Sequence, residues 1–233
     1  MRGLADPTLP PGEREARSIE DLQTRLARIG RQIAFALDST ASRAEHSLTH
    51  ERPRFSFFQM LSPRRWRQAE EAPKFEQVAP GVAKHEQEIV LAPGVEPEPD
   101  RYLPLRVAAA AAEFELPISR SPCRTCGAAR SADSVWDDES RQLFVRLLAS
   151  GPALMRVWEE LDFVDIPGRW MPEWLGIRNR PSASAAHRYT IDRHSVEVTS
   201  RLARVSAARG ERYDDRHYTA LLLAGLLHDV ANV

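Results

Sequence analysis

Three residues near the end of the chain have the types and spacing for metal chemistry: His194 and the adjacent pair His228-Asp229. Imidazole and carboxylate donors together suit a divalent transition metal. Neighbouring residues at a helix end project about 100° apart, so both members of the pair can approach one ion. His194 would come from the preceding helix of an antiparallel pair, and the interval to His228 accommodates a helix, a turn and a return helix. A metal held this way lowers the pKa of its bound water towards neutrality, and phosphoester hydrolysis is the natural use. Chance is the competing explanation, since seven histidines with aspartate at roughly one residue in eighteen make a single His-Asp dipeptide unremarkable. Context strengthens the metal reading. The pair follows Leu221-Leu222-Leu223-Ala224-Gly225-Leu226-Leu227, a buried helix in which an unpaired carboxylate is costly.

Other chemistry-bearing residues carry weaker signals. Cys123-Arg124-Thr125-Cys126 has the spacing of half a zinc site, but no second Cys or His pair lies at a matching distance. No βαβ pattern surrounds it, so a redox motif is disfavoured and two ordinary thiols are expected. His187 and Tyr189 flank a Ser/Ala-rich connector and suit packing or capping. Glu173, between Pro172 and Trp174, suits a structural hydrogen-bond acceptor better than a general base. No P-loop, GxGxxG, GxSxG or kinase signature is present.

The elements that must position these residues are mostly helical. Ser18 can cap a helix on which Ile19, Leu22, Leu26, Ile29, Ile33 and Leu37 form one apolar stripe. Its polar face is rich in arginine and reads as solvated. Prolines at positions 53, 63, 73, 80, 93, 97 and 99 forbid a long helix over the next segment. Within it, Pro80-Gly81 and Glu88-Ile89-Val90-Leu91 suggest a small β-hairpin. Phe55, Phe57, Phe58 and Trp66 read as packing anchors. Asp100 is placed to cap an alanine-rich helix over 105–114, which Pro117 ends. Asp133 or Ser134 is placed to cap a helix running to Ser150. Gly151-Pro152 starts another, reaching about Asp162. Ile166-Pro167-Gly168 is a break. Two helices close the chain, one holding His194 and one running from about Tyr213 to His228.

Composition sets the outer bounds. The 233 residues are 42% hydrophobic and 28% charged, ordinary globular values. The formal charge of -1 gives no basic footprint for nucleic acid. Two cysteines fit a reducing compartment. The first residues contain no signal-peptide run, and the most apolar stretch, 218–227, falls far short of the roughly 20 residues that span a bilayer. A cytoplasmic protein, with no membrane partner, is expected.

The segments Met171-Pro172-Glu173-Trp174, His187-Arg188-Tyr189-Thr190-Ile191-Asp192-Arg193-His194 and Leu226-Leu227-His228-Asp229 follow one another in a recognisable series. In order and spacing they resemble the bifunctional PII uridylyltransferase/uridylyl-removing enzymes of actinobacterial type. Those carry Ile-Pro-Glu-(Trp), His-x-Tyr-Thr-Val-Asp-x-His and Leu-Leu-His-Asp-Ile-Gly-Lys-Gly. The stretches 26–34, 78–82 and 106–113 are similar to that family's linker, so the likeness runs over residues 18–233. The resemblance implies an enzyme of nitrogen regulation. One domain transfers a nucleotide to a tyrosine of the PII signal protein, an HD phosphohydrolase domain removes it, and ACT domains sense glutamine. It further implies that His194, His228 and Asp229 ligate a divalent metal, manganese or magnesium, and that PII is the partner.

The residue patterns give a mainly α chain, to which the resemblance adds the HD assignment of its last part. A lead-in over 1–17 precedes an amphipathic helix region over 18–52. A Pro-rich segment with a β-hairpin over 53–104 and a helical linker over 105–180 follow, then the first helices of an HD domain over 181–233. The sequence departs from the family in lacking a Gly-Ser … Asp-x-Asp transferase motif, and Val230-Ala231-Asn232-Val233 replaces Ile-Gly-Lys-Gly. The distal HD aspartate is also absent. The expectation is a truncated remnant without transferase activity and with little or no hydrolase activity. The alternative is a helical protein-interaction module that does no chemistry.

Overall fold

The structure is a computed structural model. It describes residues 11–49, 74–95, 100–119, 122, 136–182, 189–209 and 215–230. Asp133, Ser134, His187, both cysteines, and Phe55, Phe57, Phe58 and Trp66 lie outside the described residues, and so do the expectations placed on them.

The architecture is mainly helical with a small antiparallel sheet. Helix α1 spans Pro11–Thr49. It begins at Pro11 rather than at Ser18, because proline at a first helical position needs no intrahelical N–H bond. Strands β1 (Glu76–Ala79), β2 (Val82–His85) and β3 (Glu88–Leu91) form a three-stranded sheet in the order β1-β2-β3. The expected hairpin therefore gains a further strand. Gly81, with φ 76°, supplies the left-handed turn from β1 to β2, and Glu86 at φ 54° supplies the one from β2 to β3. Ile118 adds a parallel bridge to Ile89, with bonds of 2.9 Å on either side.

Helix α2 (Leu103–Glu113) is buried along most of its length, since its alanines let neighbours approach on every side. Asp100 does not cap it directly. Its carboxylate accepts from Tyr102 N at 3.0 Å in the preceding turn and also pairs with Arg106. Helix α3 (Asp138–Leu148) is capped by Asp137, which accepts from Ser140 N at 2.9 Å. Helix α4 (Pro152–Phe163) starts as expected at Gly151-Pro152. The expected break at Ile166-Pro167-Gly168 is instead a short helix, α5 (Ile166–Trp170), because Pro167 falls in its first turn, where proline is tolerated. Helix α6 (Trp174–Ile177) is a single turn. Helices α7 (Ile191–Arg209) and α8 (Asp215–Leu227) form the closing pair.

One continuous apolar core joins the sheet, α2 to α4 and the closing pair. Trp158 and Trp174 are fully buried in edge-to-face contact at 5.1 Å, and Phe144 and Trp170 extend the cluster. In α8, Leu222 and Leu226 are fully buried, so much of that helix's apolar surface is covered rather than exposed. No described helix is long and apolar enough to cross a membrane.

Candidate metal centre

The closing helices run antiparallel, which sets the start of α7 beside the end of α8. Their separation is fixed by Gly225. A Cβ there would stand 2.7 Å from Leu202 Cδ1, 3.2 Å from Thr199 Oγ1 and 3.5 Å from Thr199 Cα. Only a residue without a side chain lets the two backbones come this near without displacing a neighbour. Thr199 donates its hydroxyl to Ser195 O at 2.9 Å, so the polar group that faces Gly225 across the seam is satisfied within its own helix.

Two residues beyond Gly225 the helix ends, and His228 and Asp229 follow it beside the first turn of α7. The His194 and His228 rings lie edge to face with centroids 5.3 Å apart. One ligand atom from each of His194, His228 and Asp229 lies within 4.8 Å of the other two. The three residues read from the sequence are thus brought together by the fold. Metal bonds of about 2.1 Å place ligand atoms no more than about 4 Å apart, so a pair as wide as 4.8 Å would have to close to share one ion.

The chemistry of the donors fits a cation. His228 Nδ1 lies 2.9 Å from Gly225 O, so it donates its proton there. In the neutral ring Nε2 carries the lone pair, 3.3 Å from Asp229 Oδ2. Two acceptors facing each other at that distance repel unless a cation, proton or metal, stands with both. A backbone carbonyl that fixes the tautomer of a ligand histidine is the usual arrangement behind such sites.

The start of α7 is held by a charge network that the sequence reading missed. Arg31 of α1 donates to Asp192 Oδ2 at 2.6 Å and Asn179 Oδ1 at 3.0 Å, and lies 3.2 Å from Asp162 Oδ2. Arg31 was expected on a solvated face. It is instead largely buried, because Asp192 and Asp162 have almost no contact with water and need a cation. Asp162 also accepts from Arg178 Nε at 3.0 Å and Trp174 Nε1 at 3.2 Å. Burial pushes the Asp162 carboxyl upward, against the pull of Arg31 and Arg178. A cavity of about 10 Å³, roughly one water in size, opens beside Arg31, Glu159, Trp174 and Asp192.

The remaining sequence expectations are simpler. Glu173 lies at the start of α6; its carbonyl accepts from Gly176 N at 3.0 Å and its side chain makes no capping bond. It is exposed, so the structural acceptor here is its backbone. Tyr189 packs under the Arg193 guanidinium at 5.2 Å from the ring centroid.

Comparison with known proteins agrees with this reading of the sequence. The chain is 42% identical over 154 residues to a bifunctional uridylyltransferase/uridylyl-removing enzyme of Streptomyces coelicolor, covering 66% of this chain. Relatives of the same name from Mycobacterium tuberculosis and Corynebacterium glutamicum are 38% and 32% identical over 159 and 133 residues. The chain belongs to this family of bifunctional uridylyltransferase/uridylyl-removing enzymes. The match spans only 18% of the Streptomyces enzyme's length and 19% of the Mycobacterium enzyme's. No family model and no solved structure matches the chain.

Proposed function

We propose that this segment of a uridylyltransferase/uridylyl-removing enzyme carries the first ligands of the uridylyl-removing, HD-type site. The observation that supports this most directly is the convergence of His194, His228 and Asp229 at the α7–α8 seam. A divalent ion, manganese or magnesium, would supply Lewis acidity for hydrolysis of the tyrosine–UMP phosphodiester on PII. The chain's own residues set the geometry. Gly225 brings the two helices together, its carbonyl holds His228 in the Nε2-ligating tautomer, and Asp229 contributes the negative charge. Water adds to phosphorus, the bond to the tyrosine oxygen breaks, and UMP leaves as that oxygen takes up a proton.

Three protein ligands are found among the described residues and would hold a metal less firmly than four, so manganese binding at this site is expected to be weak. The test is manganese titration of the full chain by calorimetry, with His194→Ala and His228→Ala beside it. The reading expects both variants to lose binding while their helix content is unchanged. Equal manganese affinity in both variants and the parent would overturn it. A second reading, an interaction module without chemistry, is favoured by the exposed apolar face of α1. Unchanged partner binding in a chain that binds no metal would put that reading first.

A further inference from the structure

Helix α1 is seated the opposite way round from an ordinary amphipathic helix. The side it turns to the body carries Glu20, Thr24, Ala27, Arg31, Phe35 and Ser39, all half-buried. Arg31 enters the network around Asp192, Glu20 pairs with Arg180, and Phe35 stacks on Phe163 at 4.1 Å. The other side carries Ile19, Leu22, Leu26, Ile29, Ile33 and Leu37, each between 51% and 65% exposed. An uninterrupted apolar stripe of this length is at the upper end of what a monomer leaves in water, where such patches are often functional.

We infer that a second copy of this chain covers the stripe, α1 against α1. The spacing supports a helix as the occupant. Ile19, Leu26 and Ile33 recur every seven residues, with Leu22, Ile29 and Ala36 three behind each, which is the seam of a coiled coil. The stripe is also self-complementary. A two-fold axis between residues 27 and 28 sets Leu22 against Ile33, Leu26 against Ile29 and Ile19 against Ala36. Every layer is then apolar. The bordering residues Gln23, Arg25, Gly30 and Gln32 are exposed, and the same symmetry brings Arg25 beside Gln32 rather than beside a second arginine. Nothing lies within 4 Å of a Cβ built at Gly30, so the approach there is open. The area suffices as well. The six side chains leave on the order of 600 Å² bare, so a pair buries about 1,200 Å², the lower edge of specific interfaces.

The test is sedimentation velocity of the full chain across a hundredfold concentration range, with the double variant Leu26→Glu/Ile29→Glu beside it. The expected result is a shift from monomer to twice the monomer mass in the parent and monomer throughout in the variant, with equal helix content. Hydrogen exchange of the unsubstituted chain gives a readout independent of the variant's folding, since amides of residues 19–37 should gain protection as concentration rises. A parent that stays monomeric, a dimer that survives the double variant, or protection that is independent of concentration or needs a different polypeptide would overturn the inference. None of these outcomes depends on metal binding.

Discussion

Two helix seams in this molecule are built on opposite principles. The α1 seam is ionic, with one arginine reaching two deeply buried aspartates while the helix's apolar side faces away. The α7–α8 seam is close-packed, with a glycine allowing near contact and polar ligands gathered only at its end. An ionic seam fixes a helix at a point, because the energy resides in a few directional contacts that are lost together when one partner goes. A close-packed seam fixes a helix along a line, and any added volume is felt along that line. The fold uses separate point attachments for α1, with Glu20–Arg180 and the Phe35–Phe163 stack beside the Arg31 network, and the line attachment where three ligands must hold their separation.

Breaking the ionic seam should have the largest effect. Arg31→Met leaves Asp192 buried without its cation and should cost about 3 kcal/mol of stability in denaturant unfolding. Adding Asp192→Asn should recover part of that loss; a double variant as unstable as the sum of the two singles would show that the seam is not ionic. Overfilling the close-packed seam comes next. Gly225→Leu should cost about 2 kcal/mol and abolish manganese binding. Gly225→Ala displaces the tip of Leu202 and crowds Thr199 Oγ1 by a few tenths of an ångström but regains helix propensity, so it should stay within about 1 kcal/mol of the parent. If the leucine variant kept parental metal affinity, Gly225 would not set the ligand separation.

A third prediction concerns a carboxylate outside both seams. Burial raises Glu160 from 4.5 to about 7, although Ile118 N donates to it at 2.9 Å and Arg156 lies near; Glu88 adds to the rise. A raised folded-state value means that Glu160 contributes stability below its ordinary titration range and loses it as pH rises through about 7. Glu160→Gln should therefore flatten that part of the stability profile, by about 1–2 kcal/mol in thermal unfolding, and the variant should be relatively more stable on the alkaline side. The smallest effect is expected from the exposed Glu197–Arg201 pair on α7, 2.6 Å apart. Glu197→Gln should change stability by only about 0.3 kcal/mol and leave both seams as they are.

Much of the secondary structure was legible in the sequence because it is local. Gly151-Pro152, the turn at Pro80-Gly81 and the apolar period of α1 each act over a few residues, and each appears in the structure near its expected place. The misses are also local in origin. Pro167 marks the start of a short helix as well as it marks a break, and Asp100 shares its carboxylate between a turn and Arg106.

His228-Asp229 and His194 could be singled out because side-chain chemistry is written in the residue types. That their ligand atoms converge could not, since it depends on how closely two helices pack, and the packing rests on one glycine meeting Thr199 and Leu202. The sequence alone determined that α1 has an apolar side and an arginine side. Only the tertiary structure decided which side meets the body. Asp192 and Asp162 are buried far along the chain, and a buried carboxylate draws the nearest cation more strongly than a neighbouring apolar surface draws a leucine.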